Sequence, residues 1–215
     1  MNERYELFLN IGSLSYYIPL LFVIFLLLKN NKHSTVERLL FFFVMYNGIL
    51  MLVEQFILNG RINNFNPLHN IVTIFDFCTI IAIFTIILHN VDEKILKFLK
   101  YLIVTYLLIS ITELLFVNDL YSINIYSINI SKSLIIIIAG ITIYFSEIKI
   151  KISSSQKIFT YTLFMYSILT LPITLFEQFL RLKISNYLYI IWSLNIFFAV
   201  LYNLSLTLSL WKLKK

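Results

Sequence analysis

Long apolar segments, separated by short polar connections, run along the whole chain. An α-helix rises 1.5 Å per residue, so about 20 apolar residues cross the ~30 Å hydrocarbon core of a bilayer. Seven segments have about that length, namely residues 11–28, 39–58, 70–89, 98–117, 128–146, 158–179 and 187–210. The pattern predicts an all-α polytopic membrane protein, in which residues 1–215 form a single seven-transmembrane-helix bundle.

The composition agrees with a membrane protein. Of the 215 residues, 60% are hydrophobic and 13% charged, and the mean hydropathy is +0.86, which lies far outside the soluble range. The spans use up the length, so we expect no soluble enzymatic domain and no nucleic-acid partner. Arg4 is offset by Glu3 and Glu6, so we expect the first segment to be retained and not cleaved. Cys78 is the single cysteine and is predicted to be a small buried residue.

Basic residues are unevenly divided between the two predicted sides of the membrane. Of the 17 lysines and arginines, 12 lie in the odd-numbered connections and the C-terminal tail: Lys29, Lys32, Arg38, Lys94, Lys97, Lys100, Lys149, Lys151, Lys157, Lys212, Lys214 and Lys215. The other side holds Arg4, Arg61, Lys132, Arg181 and Lys183. The positive-inside rule therefore predicts that the N-terminus is outside and the C-terminus cytoplasmic.

Four carboxylates interrupt the apolar segments: Glu54, Asp76, Glu113 and Glu177. In the predicted orientation the three glutamates lie roughly 3–8 Å below the outer end of their helices, and Asp76 lies about 10 Å below it. A charge in hydrocarbon costs at least ~2.5–3.5 kcal/mol on the mildest scale. Four such charges on one side indicate a shared polar chamber.

Most of these acids have polar neighbours at helical spacing. The polar stripes are His69, Thr73, Asp76 and Thr79 in span three; Tyr106, Ser110 and Glu113 in span four; and Thr170, Thr174, Glu177 and Arg181 in span six. Lipid offers no hydrogen-bond partner, so we expect the stripes to face the bundle interior. The predicted ligand-binding residues of this outer cavity are Glu54, His69, Asp76, Glu113, Lys132, Glu177, Arg181, Trp192 and Asn195.

Some polar residues have a simpler explanation in helix packing. Interhelical hydrogen bonds from Ser, Thr and Asn contribute about 0.6 kcal/mol each in membranes. We favour this role for Thr73, Thr170, Asn47 and Asn203, and Glu54 or Glu177 alone could reach the outer headgroups. Residues 121–130 repeat Tyr-Ser-Ile-Asn-Ile in tandem. This tandem indicates low-complexity sequence with no assignable chemistry, and it leaves the start of span five and the depth of Lys132 open.

The residues that known retinal-binding, zinc-dependent and aspartyl-protease membrane proteins require are missing from the predicted spans. Span seven has no lysine between Lys183 and Lys212, which excludes a retinal Schiff base in that helix. His33, His69 and His89 are scattered, so they do not form the metal site of a zinc hydrolase. Aspartyl proteases of the membrane need two embedded aspartates, and only Asp76 is embedded. We therefore expect no catalytic residues, no metal and no cofactor.

Several segments resemble a family of small, largely uncharacterised bacterial seven-helix membrane proteins. The resemblance rests on Tyr17-Ile18-Pro19-Leu20, Leu68-His69, Asp76-Phe77, Ile191-Trp192, Asn195, Asn203 and Trp211-Lys212. It covers nearly the whole chain and implies a multi-pass protein of the bacterial inner membrane with a link to signalling. It implies no functional residues.

Two functions follow from an acidic outer cavity. The first is a sensor or ligand-binding module, which takes a small cationic or amphipathic ligand and signals through a separate cytoplasmic protein. The alternative is a small transporter or channel for a cation, an amine or a proton-coupled solute, working as a homo-oligomer. Transport also needs a polar route through the inner half, where the candidates are only Asn47, Ser146, Asn203 and Ser209.

Overall fold

The chain folds into helices joined by short connections. The computed structural model describes the backbone at residues 3–28, 34–59, 66–89, 91, 93–117, 125–183 and 188–213. Within these ranges it describes all side chains except those at 3–9, 13, 51, 54–59, 66–69, 117, 177–183, 188–190 and 192.

Seven α-helices account for nearly all of the described chain. They are α1 (Glu3–Leu28), α2 (Thr35–Asn59), α3 (Asn66–Ile87), α4 (Glu93–Thr112), α5 (Ile125–Ile148), α6 (Ser154–Lys183) and α7 (Leu188–Leu213), and a π-helical turn, Glu113–Val117, continues α4. Each of the seven predicted segments falls on one helix, so the all-α prediction is confirmed.

Six of the helices are long and apolar enough to cross a membrane, which identifies a multi-pass membrane protein. Their candidate spans are Asn10–Leu28, Asn70–Ile87, Glu93–Phe116, Ile125–Ile148, Ser154–Phe176 and Ser193–Leu213. The search covered only described residues, and α2 is not among the six. The side chains of Met51 and of residues 54–59 lie outside the described part of α2.

Local sequence signals fix two of the helix starts. At α2 the backbone N–H of Ser34 donates to Glu37 Oε2 at 2.8 Å, and the N–H of Glu37 donates to Ser34 Oγ at 3.3 Å. Ser153 and Gln156 make the same reciprocal pair at α6, at 2.9 and 3.2 Å. Each pair satisfies two backbone donors that the first turn of a helix leaves unpaired.

The chain divides into two compact units. The terminal unit comprises Met1–Met51 and Ser153–Lys215, and the central unit comprises Leu52–Ile152. The terminal unit therefore contains α1, most of α2, α6 and α7. The central unit contains α3, α4 and α5 together with the end of α2.

In the terminal unit α7 packs against both α1 and α6. Asn203 Nδ2 of α7 donates to Ser15 Oγ of α1 at 2.9 Å. A Cβ at Gly12 would lie 2.8 Å from Ile196 Cγ2, so the glycine allows close approach of the two helices. Further along, the rings of Phe22 and Trp211 stack at 5.7 Å. The contact positions rise together along α1 and α7, so the two helices run parallel.

The opposite side of α7 meets α6. Ser209 Oγ donates to the Ser155 carbonyl at 2.9 Å, and the rings of Tyr166 and Tyr202 lie 4.6 Å apart. These contacts run in opposite order along the two helices, so α6 and α7 are antiparallel. Residues 35–51 of α2 also belong to this unit: Gly48 meets Leu20, and Phe43 meets Phe159 edge to face at 6.4 Å.

In the central unit α3, α4 and α5 pack against one another. The buried face of α3 carries Phe77, Ile81 and Phe84, at intervals of four and three residues, and Leu88 directly follows the helix; all four are fully buried. Phe77 meets Tyr106 of α4, and their ring centroids are 4.0 Å apart. This pairing places the polar stripe of α4 inside the three-helix packing.

Candidate functional site in the central unit

The polar stripe predicted on span four faces inward. Tyr106 and Ser110 have no exposed surface, and Glu113 is 3% exposed. The three residues follow one another at intervals of four and three, which places them on one face of α4. The stripe runs from the middle of the helix to the π-helical turn that Glu113 begins.

The carboxylate of Glu113 accepts hydrogen bonds from the first turn of α5. Oε1 accepts the backbone N–H of Tyr126 at 3.0 Å, and Oε2 accepts the backbone N–H of Ser127 at 2.6 Å and also its hydroxyl. Backbone donors in the first turn of a helix lack intrahelical partners, and the helix dipole favours a negative charge there. The described contacts therefore give Glu113 a structural role as the cap of α5.

This cap corrects our interpretation of the tandem at residues 121–130. We assigned no chemistry to it, yet Tyr126 and Ser127 belong to the tandem and supply three donors to Glu113. The structure also places the start of α5 at Ile125. Lys132 therefore lies seven residues, or about 10 Å, along α5, where it is half-buried.

Two hydroxyls below the cap have no hydrogen-bond partner. Tyr106 Oη and Ser110 Oγ are both buried and unpaired among the described residues. The Ser110 and Ser131 hydroxyls lie near that of Tyr106, but none is in hydrogen-bonding geometry with it. By contrast, the buried hydroxyl of Thr142 donates to Ile138 O of its own helix at 2.8 Å. Asn129 Oδ1 on α5 is a further buried polar atom of this unit without a partner among the described residues.

Asp76 is an acid of α3 that acts on the Tyr106 hydroxyl. It is half-buried on α3, directly before Phe77, and it interacts electrostatically with Tyr106. Cys78, the native single cysteine, is half-buried and also within electrostatic range of Tyr106. The predicted companion Thr79 is 8% exposed. The Asp76 carboxylate therefore acts electrostatically on the buried Tyr106 hydroxyl where α3 meets α4.

The remaining predicted site residues divide into two groups. Asn195 lies in the terminal unit, half-buried, and its Oδ1 is buried with no partner among the described residues. The others lie outside the part of the chain whose side chains are described: Glu54, His69, Glu177, Arg181 and Trp192. Their assignment to a ligand site stays a prediction.

Of the residues that we assigned to helix packing, Asn203 forms a bond between two helices. Asn203 bonds to Ser15 across the α1–α7 interface at 2.9 Å. Thr170 donates to Tyr166 O at 2.8 Å, and Asn47 donates to Phe43 O at 3.0 Å, each within its own helix. For Asn203 the packing assignment is confirmed, and for Thr170 and Asn47 the described bonds hold the side chain against its own backbone.

Comparison of the chain with models of known protein families, with curated proteins and with solved structures found no match. The resemblance to bacterial seven-helix proteins therefore stays a prediction. The site must be interpreted from its own chemistry.

Oxygen groups dominate that chemistry. Within the described part of the chain no three His, Cys, Asp or Glu side chains lie together as a metal site would require. Asp76 supplies acceptor oxygens, and Tyr106 and Ser110 supply hydroxyls that both donate and accept. Tyr106 and Ser110 were in the predicted stripe but not among the predicted ligand-binding residues. Their spacing from Glu113 was the signal that could have identified them.

Proposed function

We propose that the protein is a membrane-embedded sensor, which binds a small cationic or amine ligand in the central unit and signals through a separate cytoplasmic protein. The observation that carries the proposal is the pair of buried hydroxyls of Tyr106 and Ser110, which have no partner among the described residues, with Asp76 in electrostatic range of Tyr106. We call these three residues the hydroxyl–carboxylate site.

The site has the chemistry of a ligand subsite. An unpaired buried hydroxyl costs about 1–3 kcal/mol, which a bound group with donors or positive charge offsets. A carboxylate in hydrocarbon favours a nearby cation. A small protonated amine or a hydrated monovalent cation fits both groups, because its positive charge is attracted to Asp76 and its N–H or water groups donate hydrogen bonds to the hydroxyl oxygens.

The other polar groups favour sensing over transport. At the end of the terminal unit where α6 begins and α7 ends, Ser155 and Ser209 bond to each other and Thr160 bonds to Gln156 O at 2.8 Å. In the central unit Ser146 bonds to Ile143 O at 2.7 Å. These hydroxyls already have protein partners, whereas a transport route needs groups that can exchange them for a solute. Flux of sodium or methylammonium into reconstituted vesicles would instead favour the transporter, working as an oligomer.

We place the protein in the bacterial inner membrane with its C-terminus cytoplasmic. The support is the asymmetry of the lysines: the connections that hold 12 of the 17 cations would all face the cytoplasm. A cytoplasmic signalling protein would then meet a basic surface at that side.

Cys78 provides a native reporter for the charge of the site. The rate of its modification is measured in lipid nanodiscs with two methanethiosulfonates, one carrying a trimethylammonium group and the other a sulfonate. An ionised Asp76 favours the cationic reagent, and Asp76→Asn should lower the rate ratio by roughly fivefold, equivalent to about 1 kcal/mol of Coulomb energy. Glu93→Gln, an exposed acid in the same unit, is the matched control and should keep the ratio. An equal ratio in wild type and Asp76→Asn contradicts the proposal.

A further inference from the structure

The start of α4 carries a row of lysines. Lys94, Lys97 and Lys100 follow one another at three-residue intervals, and all three are exposed. Glu93 lies 3.0 Å from Lys97, and both side chains are more than half exposed. Such an exposed pair contributes little and exchanges readily for another anion. Three exposed lysines therefore gather at this end of α4.

Below the lysines the same face of α4 is apolar and exposed. Phe98, Tyr101, Val104 and Leu108 are 44%, 71%, 55% and 62% exposed. They continue the face of Lys94 and Lys97 at intervals of three, four and seven residues, and the buried stripe of Tyr106 and Ser110 lies on the opposite side. The distance from Phe98 to Leu108 along the axis is about 15 Å, half the ~30 Å hydrocarbon thickness.

This arrangement has the order of groups in a phospholipid. Lysine side chains extend toward the headgroup layer, and exposed aromatic side chains mark the boundary between headgroups and acyl chains. Tyr101 is placed for that boundary, and Val104 and Leu108 lie at the depth of the acyl chains. In the predicted orientation this end of α4 faces the cytoplasmic leaflet, where anionic lipids attract basic residues.

We infer that the face of α4 formed by Lys94, Lys97, Phe98, Tyr101, Val104 and Leu108 binds one anionic phospholipid. Lys94 and Lys97 contact its phosphate, and the apolar side chains contact one acyl chain. We call this face the α4 lipid stripe. It shares no residue with the hydroxyl–carboxylate site, so an experiment that contradicts one proposal leaves the other unaffected.

The test uses the full chain in bilayers and spin-labelled lipids that differ only in the headgroup. Electron paramagnetic resonance gives the relative association of phosphatidylglycerol and phosphatidylcholine with the protein surface. We expect wild type to prefer phosphatidylglycerol. K94Q/K97Q should lose that preference, since each lysine near an anionic surface contributes about 1 kcal/mol, or about fivefold. High salt should weaken the preference, because it screens exposed charges.

The matched control is K149Q/K151Q. Glu113 contacts the first turn of α5, so α4 and α5 are antiparallel, and Lys149 and Lys151 lie at the same end of the central unit as the start of α4. Both lysines are exposed, and their replacement removes the same charge without touching the stripe. Retained preference in this control supports the inference. Equal losses in the two variants, unchanged preference in K94Q/K97Q, or no preference in wild type would each overturn it.

Discussion

Glu113 and Ser127 join the end of α4 to the start of α5. The backbone N–H of Ser127 donates to Glu113 Oε2 at 2.6 Å, the Ser127 hydroxyl donates to the same oxygen, and Tyr126 N–H reaches Oε1 at 3.0 Å. Glu113 is 3% exposed and begins a π-helical turn. Such turns often accompany functional positions. Here the turn presents a carboxylate to the three donors of a neighbouring helix.

Replacement of Glu113 by glutamine should destabilise the protein. The amide keeps one acceptor oxygen, loses the charge and faces α5 donors with its own NH₂ group, so bonds to an ionised acceptor are lost. We expect a loss of about 1–3 kcal/mol in the free energy of unfolding, measured by titration with sodium dodecyl sulfate. Glu93→Gln is the control on an exposed acid and should change little. Equal unfolding midpoints for the two variants would rule out the cap as a stabilising contact.

The Asn203–Ser15 bond should show coupling across the α1–α7 interface. In a double-mutant cycle of Asn203→Ala and Ser15→Ala, the single variants also alter packing, but the coupling term isolates the pair. Interhelical bonds of this kind contribute about 0.6 kcal/mol. The same unfolding titration provides all four free energies. Additive effects, with no coupling, would argue that the contact is incidental.

A side chain at Gly48 should clash with Leu20 unless the Leu20 side chain moves. A Cβ at Gly48 would lie 2.8 Å from Leu20 Cδ2 and 3.0 Å from its Cβ. Gly48→Ala should therefore lower stability by about 1–3 kcal/mol through overpacking. Leu20→Ala in the same chain should recover part of that loss. If the double variant is as unstable as the sum of the two single ones, close packing at Gly48 is not the cause.

The helices could be predicted from the sequence because each one is marked by a long apolar segment in which many residues carry the same information. Each helix is set by twenty or so apolar residues, so errors at individual positions do not matter, and even the uncertain fifth segment was found within a few residues of Ile125. Reciprocal caps at Ser34 and Ser153 refine helix starts by local chemistry. The pairing of α1 with α7 could not be predicted, since lipid and helix surfaces are equally apolar and the choice depends on small residues such as Gly12.

The site was harder to predict for a physical reason. Periodicity placed Tyr106, Ser110 and Glu113 on one face, and burial confirms that face. Sequence periodicity does not reveal which of these polar groups have hydrogen-bond partners. Glu113 has three donors from α5, whereas Tyr106 and Ser110 have none among the described residues. That difference depends on the turn at the end of α4, which no spacing in the sequence reveals.

Removal of the unpaired tyrosine hydroxyl should not cost stability. Tyr106→Phe keeps the ring contact with Phe77 and removes a buried donor that lacks a partner. In the absence of a ligand we expect unchanged stability or a gain of up to about 1 kcal/mol. Ser155→Ala provides the contrast, because it breaks a bond to Ser209 and should lower stability by about 0.5–1.5 kcal/mol. A marked loss in Tyr106→Phe would mean that the hydroxyl has a protein partner.

The most direct test of the hydroxyl–carboxylate site is cation-dependent stability. Thermal unfolding of the purified protein in a nonionic detergent is measured while sodium or methylammonium chloride replaces N-methylglucamine chloride at constant ionic strength. A ligand that binds only the folded state stabilises it by about 2.7 kcal/mol at 100 times its dissociation constant. We predict that one of these cations stabilises wild type and the exposed-acid control Glu147→Gln equally, that Tyr106→Phe responds less, and that Asp76→Asn does not respond. A wild type insensitive to both cations, or an Asp76→Asn variant that responds like wild type, would contradict a cation site at Asp76.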